Sequence, residues 1–514
     1  MNRRDFLKWS PSKSDGAASL LSGSSDLTPY VPRPDKPWNA RRAAHLLRRT
    51  GFGPQWAELD SAMKSTPAAI VDLLLDNSGT QPTMFQNWTT DDPFDDSIDP
   101  EVRQQFYTTW LRDLQFWWIN MILLPGPTRL REKMVLFWHG HFVSEFTKVE
   151  VTQYMYIQNR LFREYAFGSF KELARKISTD PAMVIYLDGA GNKAESPNEN
   201  YARELMELFT LGTGTYKDGT PHYSENDIVE LARALTGWTP KGLGSEFHPD
   251  QFDSGKKTFF GETANFGLDD SAEKNPIDLI FAQNDTDAGQ KRAAIFICSK
   301  LYQFFVYEIP DMSIVTEMAK TLEANDWNIA PVLRQLFLSE HFFDDNVIGG
   351  MLKSPVDFVM GMMSSLNLLV SVNADPGDPI THDPLRAMAA LSQVIMSPPN
   401  VKGWPGGKSW ISTATLPLRV RYTKLWIQPP DPLPDNAATY NFKPDKFILS
   451  LPDNGDVHLV LDHLLELLLP IDISDRAKKG LLDILLGGAP DYEWKPEDFV
   501  AKIRACMVKL AALA

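Results

Sequence analysis

The chain has 514 residues, enough for a large core and more than one layer of packing. Its 51 lysines and arginines stand against 66 acidic residues, and the formal charge of −15 repels phosphate backbones, which excludes nucleic acid as a partner unless the basic residues cluster. Two cysteines are too few for a disulfide scaffold, and the most apolar run, 106–124, carries Arg112 and Asp113 near its middle, so it reads as a buried core helix and not as a transmembrane segment.

Along the chain, "NRRDFLK" (2–8) resembles a twin-arginine export signature, with Arg3 and Arg4 ahead of Phe6, Leu7 and Lys8. The apolar stretch that should follow is replaced by the polar, Ser- and Gly-rich "WSPSKSDGAASLLSGSSDL". An exported protein of the periplasm or cell surface is the expectation, with a basic tail on a cytoplasmic protein as the alternative. Residues 9–36 read as a disordered linker rich in Ser, Pro and Gly. "NARRAAHLLRRT" then has Asn39 as a cap and Gly51 just past its end, and its basic residues Arg41, Arg42, His45, Arg48 and Arg49 spread round the helix as a solvated face. Two short amphipathic helices, a polar loop at 78–100 and two long apolar helices at 102–124 and 128–143 follow. Further helices are predicted at 150–162, 168–178, 197–212, 224–236, 275–283, 287–306, 312–323, 327–338, 351–371 and 384–395, with long irregular stretches at 237–274 and 397–415. Beyond the Pro-rich 427–436, helices near 459–469, 474–486 and 496–513 form a small tail. The fold expectation is all-α: a leader and linker at 1–36, one large multi-helical body at 37–426, and a linker with a small helical C-terminal module at 427–514. Cys298 and Cys506 sit in apolar helical stretches, where buried thiols are expected and pairing is the alternative.

Three stretches carry candidate chemistry. In "FWHGHF" (137–142), a helix continuing through residue 141 puts His139 and His141 about 200° apart, so that they cannot share a metal. A helix stopping near Trp138 leaves an extended H-G-H with both imidazoles on one side, and a divalent metal then needs a third ligand such as Glu204, Glu207 or His248. The structural alternative is one buried, hydrogen-bonded histidine and one that caps the helix C-terminus. In "SPNENYARELMELFTLG" (196–212), Ser196 and Glu199 have capping-box spacing, Tyr201, Leu205, Leu208 and Phe209 share one face, and Asn200, Arg203, Glu204 and Glu207 share the other. That polar face is either solvated, with Arg203 paired to Glu207, or turned inward to line a cleft. "GWPGGKS" (403–409) fails as a phosphate loop because Lys402 holds the first glycine position and Trp404-Pro405 removes donors and flexibility. It reads as an aromatic-lined turn, with Trp404, Trp410 and Lys402 as packing groups or a ligand platform. No G-x-S-x-G motif is present.

Several stretches coincide in order: "RRAAHLLRRTGFGP" (41–54), "REKMVLFWHGHF" (131–142), "DPAMVIYLDG" (180–189), "PNENYARELMELFTLG" (197–212), "ELARALTGW" (230–238), "KTFFG" (257–261), "KSPVDFV" (353–359) and "PPNVKGWPGG" (398–407). Together they resemble the bacterial family of domain of unknown function 1800, over about 41–425. The resemblance implies a large, mostly helical protein, often with a twin-arginine leader, and by analogy a sulfatase- or phosphatase-like partner protein. One departure stands out: the family's pattern ahead of "KTFFG" usually has His-Asp, and here it is Phe252-Asp253, with His248 an imperfect substitute.

These motifs are expected to converge on one polar cleft. Its ligand-binding groups would be Asn198, Asn200, Arg203, Trp238, Lys257, Asn400 and Trp404, suited to a glycan or an anionic small molecule. Two functions fit: a non-catalytic binding or scaffold partner of an envelope enzyme, or a hydrolase or lyase on an extracellular polymer with His139 or His141 as base or metal ligand and Glu204 or Glu207 as acid.

Overall fold

Local capping chemistry starts most of the helices in the computed structural model, which describes residues 26–76, 82–84, 86–93, 97–368, 383–428 and 442–511. The Asn39 side chain accepts from the Arg42 N–H and opens helix Ala40–Thr50, as its sequence predicts. Asp99 opens Pro100–Leu123, Ser169 opens Phe170–Ile177, and Ser354 opens Pro355–Ser365. At 56% helix and 7% strand the all-α expectation is met only coarsely, because three small antiparallel hairpins are present. They pair Trp238–Lys241 with Gly244–Phe247, Lys257–Phe259 with Glu262–Ala264, and Asn284–Asp285 with Gln290–Lys291. Strands of two to four residues leave no alternation long enough to read. Arg3-Arg4 and residues 429–441 lie outside the described residues.

Helix Thr128–His141 runs through the middle of the body and is buried almost all round. Its charged residues have partners in four directions. Arg129 donates to the Gly53 carbonyl and to Ser364 Oγ, and its guanidinium lies 3.3 Å from Glu58. Arg131 reaches the Asp76 carbonyl. Glu132 takes a bidentate Arg163, at 2.7 and 2.8 Å. Lys133 pairs with Asp357. Helix Pro100–Leu123 packs beside this helix, and Arg112 there pairs with Asp383 at 3.2 Å. No helix among the described residues is long and apolar enough to cross a membrane.

The basic helix Ala40–Thr50 is not a solvated face. Arg42 and His45 are buried, His45 bonds the Phe342 carbonyl at 3.0 Å, and Arg49 donates to the carbonyls of Phe304 and Phe305 at 2.6 and 2.8 Å. The helix is wedged between chain segments whose backbone acceptors need donors, and its arginines supply them. C-terminal helix Val457–Leu468 packs on it, with Arg48 donating to the Glu466 carbonyl at 2.6 Å. Cys298 and Cys506 are both free and buried.

Candidate functional site

Two glycines bring the H-G-H segment against the 398–410 loop. Helix Thr128–His141 continues through His141, so the helical alternative holds and the two imidazoles point apart. Gly403, at φ +78°, sets its Cα so close to the Gly140 carbonyl that an added Cβ would lie 2.4 Å from that oxygen. At Gly140 itself a Cβ would meet only Trp404, at 3.7 Å. Gly140 thus sits inside the helix, and Gly403 is the glycine that the close approach requires. Gly403→Ala is therefore expected to destabilise the protein by about 1–3 kcal/mol through left-handed strain plus the clash. Gly140→Ala is expected to be neutral or stabilising by up to about 1 kcal/mol. Denaturant midpoints of the two variants check the contrast.

Each histidine has a structural partner. His139 Nε2 accepts from the Met396 N–H at 3.1 Å. Met396 is left-handed, with φ +66°, and its carbonyl accepts from the Phe146 N–H, so His139 helps clamp the turn that leads into the loop. Its ring is edge-on to Trp118 and Trp404, and burial pushes its pKa down to about 4. His141 Nε2 lies 3.0 Å from the Phe209 carbonyl, which makes that nitrogen the donor. The carbonyl belongs to the end of helix Glu199–Glu204, which continues as a π-helical turn over Leu205–Thr210. At this helix end Leu211 O is taken by Arg292 and Gly212 O by His222, so side chains from outside close three terminal carbonyls. Burial and then Lys300 hold His141 well below the ordinary imidazole value. With diverging rings and each Nε2 engaged, the pair does not form the shared metal site that the extended alternative required. Among the described residues no group of three or more His, Cys, Asp or Glu is placed to hold a metal.

The cleft beside this junction has a volume of about 580 Å³. Gly140, His141, Lys300, Lys402, Trp404 and Asp357 line it, with Arg49, Lys408, Glu308 and Trp410. Four cations thus face two carboxylates in a chain of net charge −15. Both carboxylates are engaged: Glu308 lies 3.8 Å from Lys408, and Asp357 accepts from Ser354 at 3.0 Å and from Lys133. No carboxylate among the described residues forms an ion pair with Lys300, whose ammonium has only the Phe296 ring, 5.1 Å away. Burial lowers its pKa. Behind the lining lie more cations. Burial and then Arg48 bring Lys353 down to about 7, while burial alone brings Arg48 to about 10. Burial also lowers Arg419 to about 10 against the pull of Asp357.

The other expected site residues are not in this cleft. Asn198, not Ser196, caps helix Glu199–Glu204, accepting from the Asn200 N–H at 2.9 Å. The Asn198 N–H is itself held by Asn192 Oδ1 at 2.8 Å, which fixes that register. Asn200 donates to Asp188 at 3.0 Å. Arg203 ties Glu199, Glu207 and Glu225 at the surface, at 3.1, 3.7 and 2.9 Å. Glu204 is half-buried outside the cleft lining; burial and Glu207 raise its pKa, opposed by Lys402 and Arg203. Trp238 packs on Phe247 across its hairpin, and Lys257 holds the Asp253 carbonyl and Asn265 over the Phe252 ring. Phe252 is thus a packing group in a separate network, and His248 bonds Thr239 at 2.8 Å. Asn400 accepts from the Lys402 N–H at 2.9 Å and turns the loop. Of the expected ligand groups, Trp404 lines the cleft together with Lys402 and Trp410 of the same turn, and of the four catalytic candidates His141 does. Arg49, Lys300, Ser354 and Asp357 are cleft residues that motif reasoning misses, although three of them lie in the motifs 41–54 and 353–359. Apolar neighbours around charged residues are the signal that could have found them.

No curated protein and no solved structure matches the chain. The model of a family described as protein of unknown function (DUF1800) matches residues 45–510, nearly its whole length, and the chain belongs to that family.

Proposed function

We propose that the protein is a binding or scaffold protein whose cleft at the Gly140–Gly403 junction takes an anionic ligand. One observation carries this reading: Lys300 lines the cleft without an ion-pair partner among the described residues, beside Arg49, Lys402 and Lys408, while the cleft's two carboxylates are already engaged. A half-buried cation without a counter-charge is a ready partner for an incoming anion. Titration calorimetry at low salt with inorganic sulfate or phosphate is expected to show binding that weakens as salt rises. Lys300→Met is expected to weaken it by about tenfold, or 1.4 kcal/mol. Absence of binding, or unchanged affinity in the variant, overturns the reading.

The same reading suits an exported protein that meets acidic polymers, with a sulfatase- or phosphatase-like enzyme as partner. A hydrolase or lyase is the second reading. Glu204 favours it, as a half-buried carboxyl with a raised pKa, but Glu204 stands outside the cleft lining.

A further inference from the structure

The cleft contains more than positive charge. We infer that its ligand is an acidic saccharide, a sugar bearing a carboxylate or sulfate, seated with its charge on Lys300 and Lys402 and its ring on Trp404. The inference rests on the anion-binding reading above and adds one observation to it.

The added observation is an aromatic platform on a close backbone. Trp404 packs at 3.7 Å from the Cβ position of Gly140 and edge-on to His139, and it lines the cleft with Trp410. Gly406 and Gly407 beside it, at φ +71° and +55°, carry no side chain that would fill the cleft mouth. A rigid indole beside cations suits the apolar face of a charged sugar ring. An inorganic anion makes no use of the indole, and a neutral sugar leaves Lys300 unpaired.

Calorimetry on the full chain can compare trigalacturonate and a sulfated N-acetylglucosamine disaccharide with their neutral counterparts and with inorganic sulfate. At least one acidic saccharide is expected to bind about tenfold or more tightly than its neutral counterpart and than sulfate. Trp404→Ala is expected to remove the saccharide advantage and leave sulfate binding in place. Lys402→Met, at an exposed position that does not threaten folding, is expected to weaken both. Equal affinity for sulfate and saccharides, or equal affinity for neutral and acidic sugars, overturns the inference. In the first case the anion reading survives. If no anion binds at all, that reading fails as well.

Discussion

Arg163→Leu is expected to lower stability by about 3–5 kcal/mol, because it leaves Glu132 charged and alone inside the body. Both side chains of this pair are only 1% exposed, and the guanidinium meets both carboxylate oxygens at 2.7 and 2.8 Å while resting over the Trp117 ring. Exposed pairs in the same chain, such as Lys320–Glu317, are expected to be worth under about 1 kcal/mol by comparison. Glu132→Leu should be as harmful as Arg163→Leu. The double variant, with leucine at both positions, should recover most of the loss, since two apolar groups need no partner. Urea unfolding of the four proteins measures the cycle. A single variant within about 1 kcal/mol of the parent would show that water reaches the pair and that the central helix is not dry.

That pair also marks where reading the sequence succeeds and where it stops. Helix ends are set by interactions between residues a few positions apart, so Asn39 is recognisable as a cap from its immediate neighbours alone. The same logic fails at Ser196, because Asn198 two residues later wins the cap through its own N–H bond to Asn192. Which face of a helix is buried is not a local property. Arg49 and Lys133 look like surface residues in the chain and prove to be donors inside it. The H-G-H and 398–410 segments meet as their motifs predict, and Gly403 and Gly140 make that meeting tight. The 237–261 stretch, expected at the same place, does not join them. Its short hairpins instead close a network of their own around Lys257 and Arg233, where Asp253 binds Arg233 at 2.7 Å. A polar motif in sequence therefore marks a buried network as readily as a ligand site.

Asp357→Asn is expected to be the second severe change, and it acts on the cleft and the fold together. Asp357 is the acidic member of a capping pair at the start of helix Pro355–Ser365, exchanging bonds with Ser354 at 3.0 Å. Asparagine preserves that geometry and removes the charge. What remains is Lys133, fully buried between the Phe52 and Phe304 rings, with no counter-ion, and Arg49 and Lys353 close by. A loss of about 3–5 kcal/mol at neutral pH follows from stranding Lys133. Burial pushes the Asp357 carboxyl up, but Lys133 and Arg49 outweigh it and hold its pKa below the ordinary 3.8. Its charge therefore stabilises the fold above that pH, and the contribution fades as pH falls through the lowered value. The gap between parent and variant should accordingly close at strongly acid pH and stay open from about pH 5 upward. Lys353 gives a slope of the same sign, because its folded-state value is also lowered. Its amine already titrates near 7, against an ordinary 10.5, so the unfolded chain binds its proton more tightly and stability rises with pH between those values. Losing Asp357, which supports the charged form, should lower that amine further and extend the rise to lower pH. Denaturation curves taken from about pH 3 to 10 for both proteins test the two slopes together. A stability gap that does not change with pH would mean that Lys133 and Asp357 are not an ion pair and that the cations behind the cleft are compensated elsewhere.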